Sequence, residues 1–227
     1  AQRTIVDEDV FYGAAAPTVA PTPSAALSSK LKPTSNAWSR AIVAVSDVDD
    51  RVAVEAMKSV CHEIMSTQGQ ESARASMVGD INSLVISLVK RVGPIFTSAI
   101  ANPSTGSRGC KYVLNALMQI HQERAFATAI AESTQRAFIT ELIVVLLNEG
   151  VLTLDEGDAL IKAANLLMIT MLENCTRSYT FVAFLTLLHQ RPYTVPAQFD
   201  DLVVKCLIKL TRNLQITLDN VHLPTVL

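Results

Sequence analysis

From Asn36 onward, apolar residues recur at intervals of three and four, and no strand-like alternation with turn chemistry interrupts them. That spacing belongs to the amphipathic α-helix, whose apolar stripe must be buried against a neighbour. Four stripes are explicit. The first runs through Ala53, Ala56, Met57, Val60, Cys61 and Ile64, and the second through Ile81, Leu84, Val85, Leu88, Val89 and Val92. The third holds Cys110, Val113, Leu114, Leu117 and Met118, and the fourth holds Phe138, Ile139, Leu142, Ile143, Leu146 and Leu147. Together with Asn36–Val45, Asp155–Cys175, Tyr179–Gln190 and Phe199–Leu214, they predict about nine helices of roughly 10 to 20 residues.

Short loops between such helices favour consecutive pairing, beginning with a hairpin of the first two. The fold class expected is therefore all-α: a short α-solenoid of helical hairpins with an irregular repeat of about 40 residues, with a globular bundle as the alternative. Within the second stripe, Gly93-Pro94 predicts a kink or break, because a proline in a helix interior costs about 3 kcal/mol. Leu166 and Ile169 make Asp155–Cys175 apolar nearly all round, which predicts burial on two sides.

Residues 1–35 are read as a disordered linker. Four of the nine prolines fall between Gly13 and Ser35, among Ala, Thr and Ser, with few large apolar groups to offset the entropy of ordering. Residues 36–227 form the helical domain, whose apolar tail Leu218–Leu227 reads as the start of a repeat that stops incomplete. Ala1–Val10 has neither an apolar core nor an initiator Met, so it reads as the cut edge of a longer chain and not as a signal peptide.

Charge narrows the partners. Lys and Arg number 19 against 21 Asp and Glu, a net charge of −2, which provides no global field toward nucleic acid or an anionic membrane. The longest apolar run, Leu142–Leu147, is far shorter than the roughly 20 residues that span a bilayer, so no transmembrane helix is expected. Cys61, Cys110, Cys175 and Cys206 lie apart among apolar helical residues, as small buried thiols do in a reducing compartment.

No chemistry assembles from the motifs. Cys61-His62 has no second pair at metal-ligand spacing. Asp47, Asp49 and Asp50 lack the central Gly and terminal Glu of a calcium loop, and helix capping accounts for them better. Gly106-Ser107-Arg108-Gly109 has no phosphate-reaching Lys and no preceding strand. His62, His121, His189 and His222 have no nucleophile in their sequence context, so no catalytic residue, cofactor or metal is assigned. What remains for binding is basic: Arg108 and Lys111 at a loop and helix start, and Lys205, Lys209 and Arg212 on one helical face. Asp201, four residues before Lys205, is placed for a weak ion pair of about 0.3 to 0.5 kcal/mol.

Phe199–Leu210 (FDDLVVKCLIKL), Gly109–Gln119 (GCKYVLNALMQ) and Ser133–Leu147 (STQRAFITELIVVLL) together resemble the plant-type member of the TOG microtubule polymerase family. Glu55–Glu63 and Asp155–Glu173 fit the same pattern, and the resemblance extends over about Ala37–Leu218. It implies HEAT-like hairpins and a place as the last, divergent TOG-like domain of a large protein. That protein would be found in the cytoplasm and on the cytoskeleton, at microtubules, spindle and plus ends. In the family's tubulin-binding domains the loop of the first helical pair carries a Trp. Here Ser46–Arg51 carries acids, and Trp38 falls inside the preceding helix. The acids should repel acidic tubulin, so microtubule lattice or tubulin is reached through the full-length protein.

Animal relatives imply a coiled-coil adaptor as partner. The function expected is a non-enzymatic interaction domain that regulates microtubule plus-end growth and organisation by docking to a partner protein or the lattice. The alternative is a structural capping module of a larger helical-repeat scaffold, with no partner of its own.

Overall fold

The computed structural model describes residues 35–102, 107–190, 196 and 198–212. In chain order they form α1 (Ser35–Val45), α2 (Asp50–Ser66), α3 (Glu71–Ala101), α4 (Arg108–Gln122), the short α5 (Arg124–Thr128) and α6 (Glu132–Leu147). A 3-10 turn (Glu149–Thr153), α7 (Gly157–Asn174), α8 (Arg177–His189) and α9 (Gln198–Arg212) follow, and no strand occurs among the described residues. The expected linker lies outside the described residues except for Ser35, which opens α1, and the tail Leu218–Leu227 lies outside them entirely.

Helix pairing follows the expected solenoid. α1 packs on α2, α3 on α4, α6 on α7 and α8 on α9, giving four hairpins. α1, α3, α6 and α8 lie side by side in one layer, while α2, α4 and α7 line the other. α9 ends the second layer but rests chiefly on α8, with smaller contacts to α6 and α7. The stripes read from the sequence are the buried faces: Ile81, Leu84 and Leu88 of α3, Val113 and Leu117 of α4, and Phe138, Ile139 and Leu142 of α6 are all fully enclosed. Each such side chain contributes about 1.5 to 3 kcal/mol by leaving water.

Three expectations are answered by the packing. Gly93-Pro94 does not break the second stripe, because α3 runs through it for 31 residues. Ile95, Phe96 and Ala99 beyond the proline are buried, so packing on both sides holds the segment helical despite the missing donor. Gly93 also admits the neighbouring layer-mate: Glu141 Oε2 of α6 lies 3.0 Å from the position a Cβ would take. Burial there raises the Glu141 carboxyl above its ordinary range.

Second, α7 packs on α4 and on α6, the burial on two sides that its composition predicts, while Leu166 stays 40% exposed. Third, α3 is long and apolar enough, by length and composition, to cross a bilayer, which the run Leu142–Leu147 did not anticipate. In this fold its apolar face is occupied by α1, α4 and α6.

The far ends of the hairpins are pinned by polar contacts. Thr67, buried at the end of α2, donates its hydroxyl to Glu63 O and Ile64 O, both at 3.0 Å. Gly69 then turns the chain with φ of +81°, a conformation that suits glycine. Arg74 locks this turn to α5: its Nε donates to Thr67 O at 3.2 Å, it pairs with Glu123, and it lies over the Phe126 ring.

Candidate partner-binding edge

The connections within the first three hairpins gather on one edge of the stack. Contacts between elements establish this. Asp50, the first residue of α2, pairs with Arg91 late in α3, Arg108 Nη2 reaches Glu55 at 3.9 Å, and Lys111 pairs with Glu156 just before α7. Residues 103–106 of the α3–α4 connection lie outside the described residues.

The first connection is capped as its aspartates predicted. Asp47 accepts from Asp49 N at 2.9 Å, and Asp49, the N-cap of α2, accepts from Arg51 N at 2.8 Å. Trp38 is buried inside α1's face of the core, well away from a loop position.

At the second connection α4 begins at Arg108, two residues before Cys110, where the apolar stripe read from the sequence resumes. Arg108 is 65% exposed, and its guanidinium carbon stands 5.8 Å from the centre of the Tyr112 ring, one helical turn on. Lys58 of α2 approaches the same ring at 5.1 Å and pairs with Glu55. Tyr112 is thus shared by two cations with one carboxylate between them. The Lys58 hydrogen bond, with the charges of Lys58 and Arg108, holds the Glu55 carboxyl below its ordinary range.

Lys111, also exposed, is committed to Glu156. Glu156 has φ of 63°, the left-handed conformation, which costs a side-chain-bearing residue about 1 kcal/mol. It is followed by Gly157, where a Cβ would run into the backbone of Val151 and Leu152 in the 3-10 turn. The backbone strain at this edge is therefore held in place by the Lys111 pair and by tight packing on the turn.

The second basic group is elsewhere. Lys205 and Arg212 are exposed on α9 and Lys209 is half-buried, but α9 rests on α8 and is not packed on α4. Arg108 and Lys111 sit in the first turn of their helix, whereas Lys209 and Arg212 sit in the last turn of theirs. The five residues make two separate groups. The ion pair expected between Asp201 and Lys205 does not form, since both side chains point into solvent where such a pair gains little.

Glu55, Lys58, Tyr112 and Glu156 were missed as companions of Arg108 and Lys111. The spacing of four from Arg108 to Tyr112 was a usable signal. The pairings across helices were not visible in it.

The groups with reactive side chains are held inert. Burial pushes the thiols of Cys61 and Cys110 up to about 11 and those of Cys175 and Cys206 up to about 12. Burial likewise lowers His121 to about 4, while its Nδ1 hydrogen-bonds Leu117 O at 2.7 Å. Among the described residues no three His, Cys, Asp or Glu side chains are grouped to hold a metal.

Neither a protein-family model nor a solved structure matches the chain. Curated proteins do match, two plant proteins among them. Over 207 residues, 84% of the chain, it is 40% identical to Protein MOR1 of Arabidopsis thaliana. Over 204 residues, again 84% of the chain, it is 38% identical to Protein MOR1 of Oryza sativa subsp. japonica. The chain spans about a tenth of each relative's length, 10% in both cases. Both of these relatives are plant TOG-family microtubule organisation proteins, the family that the chain's helical segments resemble.

Proposed function

We propose that this chain is a non-enzymatic docking domain of a microtubule-organising protein, the divergent last TOG-like domain of a polymerase. It helps to regulate plus-end growth by holding a partner protein or the microtubule lattice. The observation that carries this reading is the edge on which three hairpin connections converge, with Arg108 exposed on it and the strained Glu156 beside it. Function concentrates on loops that a rigid scaffold positions, and strained residues cluster at such sites. The similarity to the MOR1 proteins supplies the microtubule context.

Two measurements test it. The chain is co-sedimented with microtubules over a salt series, beside the double variant Arg108→Glu with Lys111→Glu. Loss of salt-sensitive binding in the variant, with helicity unchanged, is the expected result. Equal binding by both proteins overturns the assignment to this edge. Deleting the domain from the full-length protein is expected to shift its distribution on microtubules, and an unchanged distribution in cells overturns the docking role.

A further inference from the structure

We propose that the outer face of α9 is a docking site for residues 5–12 of this same chain, IVDEDVFY. The carboxylates of Asp7, Glu8 and Asp9 meet Lys205 and Arg212, and Phe11 and Tyr12 cover Val204 and Ile208. The contact is independent of the loop edge, whose basic residues Arg108 and Lys111 lie on α4.

Helix periodicity joins this face. The buried residues of α9, Phe199, Leu202, Val203, Cys206 and Leu210, take one side. Val204 and Ile208, 43% and 48% exposed, lie on the opposite side at a spacing of four, so their side chains are neighbours one turn apart. Exposed Arg212 continues the same row, and exposed Lys205 stands beside it, three residues before Ile208.

The charge count of the last hairpin is basic. Asp200 and Asp201 sit in the first turn of α9, but from Val204 to Arg212 there are three cations, Lys205, Lys209 and Arg212, and no carboxylate. α8 adds Arg177 and no acid, so α8 and α9 together hold four basic residues against two acidic ones, in a chain whose net charge is −2. The acids of the other helices that touch α9 are Glu132 and Glu141 of α6 and Asp158 and Glu173 of α7. Those helices pack on its buried side, where Arg136 and Lys162 partly balance them.

The occupant is singled out by its composition and its tether. Asp7-Glu8-Asp9 is the one run of three consecutive carboxylates in the sequence, with Ile5, Val6 and Val10 around it and an aromatic pair after it. Carboxylates and apolar groups thus come in the combination that the α9 face complements. Residues 13–34, a stretch of 22 with four prolines, lead from this segment to α1. Helices in one layer lie about 8 to 10 Å apart, which puts α8 about 30 Å from α1. A flexible chain of 22 residues averages about 25 Å end to end and extends to about 70 Å, so the segment reaches α9. Exposed ion pairs are weak one by one, but a tether supplies an effective concentration on the order of mM, at which a segment of mM affinity is bound about half of the time. Such occupancy scarcely moves a urea midpoint, so the readout has to be local.

The test puts a nitroxide spin label on Ala14→Cys in the whole chain and reads the broadening of backbone amides by nuclear magnetic resonance. The four native cysteines are buried and do not take the label. At low salt the amides of residues 204–212 are expected to lose about half of their intensity. They are expected to recover it at high salt, in Lys205→Glu with Arg212→Glu, and in Val204→Ser with Ile208→Ser. The triple variant Asp7→Lys, Glu8→Lys and Asp9→Lys, which leaves every described helix untouched, is expected to do the same. Broadening centred on α4 or spread evenly over the stack overturns the proposal. So does an absence of broadening, or broadening of α9 that survives the triple variant.

Microtubule binding through Arg108 is expected to be the same in all of these variants, so a failure here leaves the loop edge standing.

Discussion

At the centre of the stack, His121 of α4 lies fully buried, its ring stacked on Phe138 of α6 with centroids 4.6 Å apart, and Asn174 of α7 donates to its backbone carbonyl at 2.9 Å. At the first hairpin, Val48 stands almost wholly in water. By residue type the two places are reversed, with a titratable ring inside and an aliphatic side chain outside. What separates them is the number of neighbouring helices. α4 is flanked by α2, α3 and α7, whereas the bend between α1 and α2 projects beyond the stack. Position in the stack, more than polarity, decides burial.

The strongest test of this contrast removes the aromatic floor of the centre. Phe138→Ala is expected to lower stability by about 3 to 5 kcal/mol in urea denaturation, since three helices meet there and cannot close the cavity. A loss below about 1 kcal/mol would put the centre on a par with the bend and erase the comparison.

Acid probes the same place through its histidine. Burial holds His121 at about 4 in the folded protein against an ordinary 6.5, so the unfolded chain takes up the proton first as pH falls. The contribution of the neutral ring is present above pH 6.5 and is lost as pH falls toward 4. The full loss is about 3 kcal/mol. Denaturation of the parent and His121→Leu at pH 7 and pH 4.5 isolates this slope. The variant should lack that portion of the acid sensitivity, and identical slopes would show that the ring is not desolvated.

Gly157 lies between the two extremes, at the loop edge but against the 3-10 turn. Gly157→Ala is expected to cost about 1 to 3 kcal/mol, because the added methyl meets backbone that must move. A crystal structure of the variant should show the turn displaced from α7. The smallest effect is expected at the other end of the stack. Val204→Ser and Ile208→Ser on α9 should each change the urea midpoint by an amount within about 0.5 kcal/mol. A larger loss would mean that α9 is covered in solution and that the contrast between centre and end is overstated.

Much of the helical plan was legible because it depends on local periodicity. The six apolar positions read in α2 are its six buried residues. No break occurs at Pro94, because the local penalty is visible in sequence, while the packing of Ile95 and Phe96 that offsets it is not. The burial of α7 on two sides was legible, but the exposure of Leu166 was not, since an apolar residue on a helix carries no label for which neighbour will cover it. At the candidate edge, Arg108 and Lys111 were legible as basic residues near a loop, but their partners Glu55 and Glu156 lie far along the chain. Lys205, Lys209 and Arg212 share a helical face, and nothing local could tell that α9 would carry them away from Arg108.

The order and type of the helices, the stripes that face inward and the family resemblance are properties of the sequence, because each arises from residues within a few turns of one another. Which helices became neighbours was decided only in the tertiary structure. So were the union of three connections on one edge, the sharing of Tyr112 between Lys58 and Arg108, and the exposure of Val48 beside a buried Val45. These depend on contacts between residues distant in the chain, and on the stacking geometry that leaves an inner helix covered and a bend in water.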